Sequence, residues 1–344
     1  MLKNSVQEYA KKSFLALKNP YDSVEKVYTS IIDEITEDTM YLGIKNVSQI
    51  PVSFIKDLKI KGNYLLHTLD AHAFGGRAID LNLKNPISGR PMTGSSSGTA
   101  INVLLGINDL GIGTDGGGSV LAPAMSVNLY GFISHNIYKK ELDKYPKIST
   151  DNIAFTPSIG YITRTFKDMH RIIHLTMELP EVEIEEVRIG FLNEQSQKNV
   201  SQTIHLDFKS IILDTPDILG ARTPLVQFLK NRLPDIDFIV SEEGPIDFYG
   251  MGDSILGHFD DGTHKEQREG NKGLIRVANM ANATAITIPQ ENFASSYVLI
   301  CESHNEKISK MLAIAEMLQT PEDKLLQRYF RGMDNYFGKD FDDL

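Results

Sequence analysis

The period of the hydrophobic pattern changes repeatedly along the chain. Residues 5–17 and 22–36 space their apolar positions as amphipathic helices do, and a turn is predicted between them at Asn19-Pro20. The apolar run VSFIK at 52–56 predicts a strand, and residues 57–98, rich in Gly, Pro, Asn and Ser, read as loop with short elements. TAINVLLGI at 99–107 predicts a helix. LGIGTDGGGSV at 110–120 predicts a short strand running into a glycine-rich turn, and residues 158–177 a short strand followed by a helix beginning near Thr165. Strands follow at VRIGFL (187–192), DFIVSE (237–242), TAITIP (284–289) and SYVLICES (296–303), with an amphipathic helix over 305–319. Strands alternating with helices predict an α/β sandwich around one mixed sheet. There is no internal repeat and no low-complexity linker, so the 344 residues read as one domain, 1–344. Its start, 1–45, is expected to be helical. Its end, 321–344, is charged and aromatic, a docking tail or a frayed end.

Composition narrows the function classes. Hydrophobic residues are 41% and charged residues 23%, with a net charge of −10. A chain of this size can bury a large core without a metal or disulfide staple. The acidic balance advertises no basic face for nucleic acid. Cys301 is the sole cysteine, so no intrachain disulfide can form, which fits a reducing compartment. The N-terminal segment has no apolar core or small-residue cleavage site of a signal peptide. No apolar run reaches the length of a membrane span. The expectation is a soluble cytoplasmic protein that touches neither membrane nor nucleic acid and needs no cofactor.

Chemistry concentrates in two short stretches. Thr93-Gly94-Ser95-Ser96-Ser97-Gly98 puts three hydroxyls in a row before a helix, and Gly113-Thr114-Asp115-Gly116-Gly117-Gly118-Ser119 puts another behind three glycines. Consecutive glycines let the backbone turn tightly and aim successive N–H groups into one concavity. A serine at the end of such a run could attack a carbonyl while those N–H groups hold the oxyanion. The same residues read equally as a flexible Gly/Ser loop. The nine histidines form no pattern near these loops. His170 and His174 are four apart, but Arg171 stands where the metalloprotease motif needs glutamate, so no metal site is predicted. A buried lysine can replace histidine as base. Lys56, ending the apolar run VSFI and preceding Asp57, is the candidate, although alone such a residue is more often a surface lysine or an ion pair with a neighbour. Gly111-Ile112-Gly113-Thr114-Asp115-Gly116 formally matches G-x-G-x-x-G, but a further glycine pair and a serine follow it, which argues against a dinucleotide site.

The two serine loops resemble the hallmark of the amidase-signature family: GGSS-G, a helix, then GTD-x-GGS. Ser95 and Ser119 are 24 residues apart, as in the family motif. IPVSFIKD at 50–57 is similar to its lysine strand, SIGYITRTFKDM at 158–169 to its "GPMTRTVEDA" segment, EEVRIGFLNE at 185–194 to its "RIG" strand, and VANMANATAITIP at 277–289 to its "NLAGLPAISVP" segment. The resemblance runs in order over roughly 50–318 and implies the amidase-signature fold, a mixed sheet covered by helices on both faces. It implies Ser119 as nucleophile, Ser95 as relay behind a cis Gly94–Ser95 bond, and Lys56 as base. It also implies an oxyanion hole from the N–H groups of Gly116, Gly117, Gly118 and Ser119. Ser96 would brace the relay, Asp115 would order the loop by accepting backbone bonds, and Thr93 would support the turn.

Five features depart from the family pattern. Thr93 replaces the first glycine, Leu121 stands where many members have arginine, and Ile133-Ser134 replaces lysine-proline. Lys56 and Ser95 are only 39 residues apart, distinctly closer than usual, and the region 169–276 is also short. These short segments predict a pocket with thin walls, which favours an extended, peptide-like amide or a wall completed by a partner subunit or second copy. A small-amide hydrolase remains the alternative if other helices close the gap. The implied activity is hydrolysis of a carboxylic amide C–N bond through an acyl-enzyme. Two other readings stay open: an ammonia-producing glutaminase-type subunit of an amidotransferase, and a non-catalytic binding member.

Overall fold

A computed structural model describes residues 2–184, 186–204, 206 and 208–331. Its centre is a sheet of 11 strands. In chain order these are β1 (Val24–Val27), β2 (Met40–Lys45), β3 (Tyr64–Asp70), β4 (Leu110–Asp115), β5 (Tyr130–Ser134), β6 (Ser158–Thr163), β7 (Arg188–Phe191), β8 (Lys209–Ile212), β9 (Phe238–Glu243), β10 (Ala283–Pro289) and β11 (Ser296–Glu302). Their spatial order is β1-β3-β2-β4-β6-β5-β10-β11-β9-β7-β8. The sheet is mixed. β3-β2-β4 are mutually parallel, β4-β6-β5-β10-β11-β9 antiparallel, and β9-β7-β8 parallel again.

Side chains alternate between two cores, as a pleated strand requires. On β9, Phe238 and Val240 face one core and Ile239 the other; on β11, Leu299 and Cys301 oppose Val298 and Ile300. One core is capped by α1 (Leu2–Lys18), α3 (Ser97–Leu104), α4 (Leu121–Met125) and the helix Arg222–Arg232. The other is capped by α2 (Val52–Gly62) and the helices Phe166–Thr176 and Asn305–Met317. Helices therefore cover both faces, as expected. Leu121 is fully buried in α4, and Ile133 and Ser134 are buried in β5, so these departures from the family pattern are core residues.

Two expectations fail at the amino end. Residues 22–36 are not a helix: β1 runs antiparallel to β3, and a 3-10 turn covers Thr29–Glu34. Asp22 takes φ 51, which breaks any helix there, and the β-branched Val24 and Val27 suit the strand pairing that follows. The span 1–45 also contains β2, whose MYLGIK segment escaped the sequence reading. Residues 52–56 are not a strand but the first turns of α2. Phe54 and Leu58 are buried one helical turn apart, while Val52 is 70% exposed. The interval 57–98 is more ordered than a loop, because it holds the rest of α2, all of β3 and a small hairpin of Ile79–Lys84 with Pro91–Thr93. The tail is described only to Arg331, with Asp323 capping a short helical stretch; 332–344 lie outside the described residues.

Candidate active site

The chemistry-bearing residues meet where β2 and β4 end and where the turns before α3 and α4 approach each other. β4 delivers Asp115, fully buried, into the glycine turn. Its carboxylate accepts the N–H groups of Gly118 (2.8 Å), Val120 (2.6 Å) and Leu121 (3.3 Å). Those bonds fold residues 116–120 back over the strand end and start α4. Gly118 sits at φ 93, a conformation only glycine holds without strain. Burial pushes its carboxyl upward, opposed by the backbone donors and by nearby Lys45.

The N–H of Gly118 is committed to Asp115, which leaves those of Gly116, Gly117 and Ser119 as the turn's candidate donors to a ligand. Asn279 orients this group. Its side-chain amide donates to the carbonyl oxygens of Gly116 (3.3 Å) and Thr156 (3.0 Å). C=O and N–H point opposite ways in a trans peptide, so holding the Gly116 carbonyl turns the Gly117 N–H to the other side. Asn279 stood inside the segment 277–289 that resembles the family, but nothing in the sequence marked it out.

The two serine turns are joined through the main chain. The N–H of Ser96 donates to the carbonyl oxygen of Ser119 at 3.0 Å. The Gly94–Ser95 peptide is cis. Ser96 links the turns by its backbone alone, because its buried hydroxyl has no partner. Thr93 is also buried and donates to Asp247 (2.6 Å), whose carboxylate meets Lys272 at 2.7 Å. That pair lies beneath the turn and ties it to residues 247–272.

The lysine is not the one expected. Lys56 is exposed on α2, and its neighbour Asp57 accepts from the Tyr138 hydroxyl. Nothing brings Lys56 to the serines, because α2 turns its Phe54–Leu58 stripe inward and Lys56 outward. Lys45 occupies the place instead. It ends β2, is 3% exposed, and its Nζ lies 2.7 Å from Ser95 Oγ and 3.5 Å from the Thr114 carbonyl oxygen. Burial lowers its pKa from 10.5 to about 7, with Asp115 pulling upward and Lys147 adding to the depression. The short 39-residue interval from Lys56 to Ser95 was the sequence signal that something was misplaced; Lys45 lies 50 residues before Ser95.

Lys45, Ser95, Ser119, Gly116 and Gly117 line one cleft of about 420 Å³. Its walls come partly from the shortened regions, through Gly75–Ala78 and Asp253–Ile255, and partly from a hairpin pairing Lys147–Ile148 with Ala154–Phe155. The Phe155 ring fills the space against Gly116, where a Cβ would approach within 2.3 Å of it.

A mixed-sheet α/β protein that joins a buried lysine, a neighbouring serine and a glycine-rich serine turn in one cleft is the class defined so far. Comparison with known proteins shows what it is similar to. A family model described as Amidase matches residues 82–205, a segment holding both serines but not Lys45. "Amidase 1" of Oryza sativa subsp. japonica is 23% identical over 205 residues, covering 54% of this chain and 43% of that protein. The A subunit of glutamyl-tRNA(Gln) amidotransferase from Sulfurisphaera tokodaii is 22% identical over 345 residues, covering 91% of this chain and 70% of that protein. Among solved structures, the A subunit of the Thermotoga maritima glutamyl-tRNA(Gln) amidotransferase superposes over 94% of this chain and 95% of its own, with TM-score 0.62 and 15% identity. A bacterial aryl acylamidase of the amidase-signature family aligns over 93% and 94%, with TM-score 0.62 and 13% identity. The chain therefore shares the fold of the amidase-signature structures and is similar in sequence to amidases over residues 82–205, while spanning 43% of the rice protein's length. Among its described residues no helix is long and apolar enough to cross a membrane.

Proposed function

We propose that the chain is an amidohydrolase in which Ser119 is the nucleophile, Ser95 the relay and Lys45 the base. One observation carries this reading: the buried Lys45 Nζ, with a pKa lowered to about 7, lies 2.7 Å from Ser95 Oγ in the cleft that Ser119 lines. A neutral amine accepts the Ser95 proton as Ser95 accepts that of Ser119. Ser119 Oγ bonds to the amide carbon, and the Gly116, Gly117 and Ser119 N–H groups receive the oxyanion. The C–N bond breaks as the relay returns the proton to the leaving nitrogen. Water, deprotonated through the same relay, then cleaves the ester and restores Ser119. Treating the purified chain with a fluorophosphonate and mapping the adduct by mass tests the nucleophile. Label on Ser119 is expected. An unlabelled chain, or a label that persists in Ser119→Ala, rejects it, and absence of label is the outcome a non-catalytic binding member would give.

The likeness to two amidotransferase A subunits favours a second reading, in which glutamine is the substrate and partner subunits receive the ammonia. Glutamine turnover measured with and without such partners separates the two. On the first reading, small or peptide-like amides are hydrolysed by the chain alone or as a homo-oligomer.

A further inference from the structure

Two guanidiniums line the cleft that the mechanism does not use, those of Arg77 and Arg222. Arg222 opens the helix Arg222–Arg232 and is 12% exposed at the side chain. Its Nε and Nη2 make a fork on Asp151 at 2.9 and 2.6 Å, and Nη2 also donates to Thr150 Oγ1 at 2.9 Å. Asp151 and Thr150 belong to the turn of the hairpin that walls the cleft. Thr150 Oγ1 further donates to Ser254 Oγ at 2.9 Å, which pins the hairpin to the opposite wall. The fork fixes the guanidinium plane and leaves Nη1 with no acceptor among the described residues. Nη1 stands 3.4 Å from where a Cβ on Gly117 would be, beside the turn that carries Ser119.

We propose that Arg222 is a specificity-determining residue whose Nη1 donates to a neutral carbonyl oxygen on the acyl side of the scissile amide. The substrate class is then an N-acylated amino-acid amide, the smallest peptide-like amide; this rests on the amidohydrolase reading. Geometry and charge together select that class. An N–H that lines a cleft and has no protein acceptor is open to a ligand that brings one. The ligand's acceptor is neutral because the Asp151 carboxylate already balances Arg222, so a substrate carboxylate would meet a like charge beside it. Arg77, the other guanidinium on the cleft, is likewise neutralised, by Asp253 at 2.9 Å. In an N-acylated amino-acid amide the second carbonyl carbon lies three bonds from the scissile one, at most about 3.7 Å away, so both carbonyls fit within one cleft.

The test uses binding, so that it does not depend on turnover. Titration calorimetry on Ser119→Ala compares N-acetylphenylalaninamide with 3-phenylpropanamide, which keeps the ring and the amide but lacks the acylamino carbonyl. The acetylated amide is expected to bind about 10-fold more tightly. Adding Arg222→Met brings the ratio close to one, and Arg222→Lys, which keeps the charge but loses the fork, does the same if the first variant folds poorly. Asp151→Asn frees the positive charge and raises affinity for succinamate. A ratio near one in Ser119→Ala, a ratio unchanged by either Arg222 substitution, or a preference for succinamate before Asp151 is changed overturns the proposal. Whether wild-type protein hydrolyses the acetylated amide is a separate measurement. Its failure with the binding ratio intact rejects the amidase reading and not the assignment of Arg222.

Discussion

Lys45 and Lys56 lie 11 residues apart and end similar apolar runs, MYLGIK and VSFIK, yet they live in different solvents. Lys45 closes a strand flanked on both sides by parallel neighbours, and its side chain is buried against Ser95 and the Thr114 carbonyl. Lys56 sits on the outer face of a helix whose apolar stripe already fills the core. A lysine becomes a base at neutral pH by losing the solvent around its ammonium, and only the first position removes it. The run before a lysine therefore says less about its chemistry than the element that carries it.

Four experiments break or sharpen that contrast. The largest effect is expected for Ser119→Ala, which should lower kcat/KM for any cleaved amide by about 10³-fold or more, with a normal melting profile; near-normal activity of the purified variant would sink the mechanism. Lys45→Ala should cost about 10²–10⁴-fold in kcat, whereas Lys56→Ala should stay within about twofold and shift stability by less than about 0.5 kcal/mol. Equal losses from the two lysines would erase the distinction between them.

The second experiment follows pH. Activity should rise with pH through an apparent pKa near 7, that of Lys45. Stability should respond in the same window. The unfolded chain binds the lysine proton below about 10.5, the native site only below about 7. Stability is therefore lost as pH falls through this interval and no further below 7, a cost on the order of 5 kcal/mol. Lys45→Met removes the cost, so it should melt higher than wild type at pH 7 and converge with it toward pH 10.5. Denaturant titrations at several pH values check this, and a variant less stable at pH 7 would contradict a desolvated lysine.

A third, smaller effect is expected at Asp115. Asp115→Ala strips three backbone N–H groups of their acceptor and should destabilise the chain by about 3 kcal/mol, read by chemical denaturation. Smallest among the site changes is Asn279→Ala. It releases the Gly116 carbonyl and should lower kcat about 10-fold with KM little changed, because the donor it orients serves the transition state. A KM effect alone would place Asn279 in ground-state binding instead.

The sequence made the serines legible and the lysine illegible for different reasons. Ser95, Asp115 and Ser119 lie in a contiguous stretch whose glycines are dictated by local turns, and local geometry is written in local sequence. The strand–helix unit at 158–177 was readable for the same reason: its period switches from two to 3.6 at Thr165, which caps the helix by accepting the Asp168 N–H. Lys45 depends on β2 pairing with β3 and β4, contacts to residues 64–70 and 110–112 that no window around it contains. VSFIKDL was ambiguous because its first five residues suit a strand; only Leu58 and Gly62 extend the helical period. That Asp115 takes the Gly118 N–H is a contact no reading of the glycine run reveals. Arg222 and Asn279 carry no motif and become visible only through what they touch.

The Ser119 turn is held by the Ser96 N–H on the Ser119 carbonyl and by Asp115 on the N–H groups of 118, 120 and 121. None of these ties uses the Ser119 hydroxyl. Placement and reactivity are thus separate properties of this position, the first encoded by its neighbours and the second by its own side chain. The turn works as a socket: a thiol could replace the hydroxyl there without loosening it, and the chemistry at its tip could change while the architecture that aims it stayed the same.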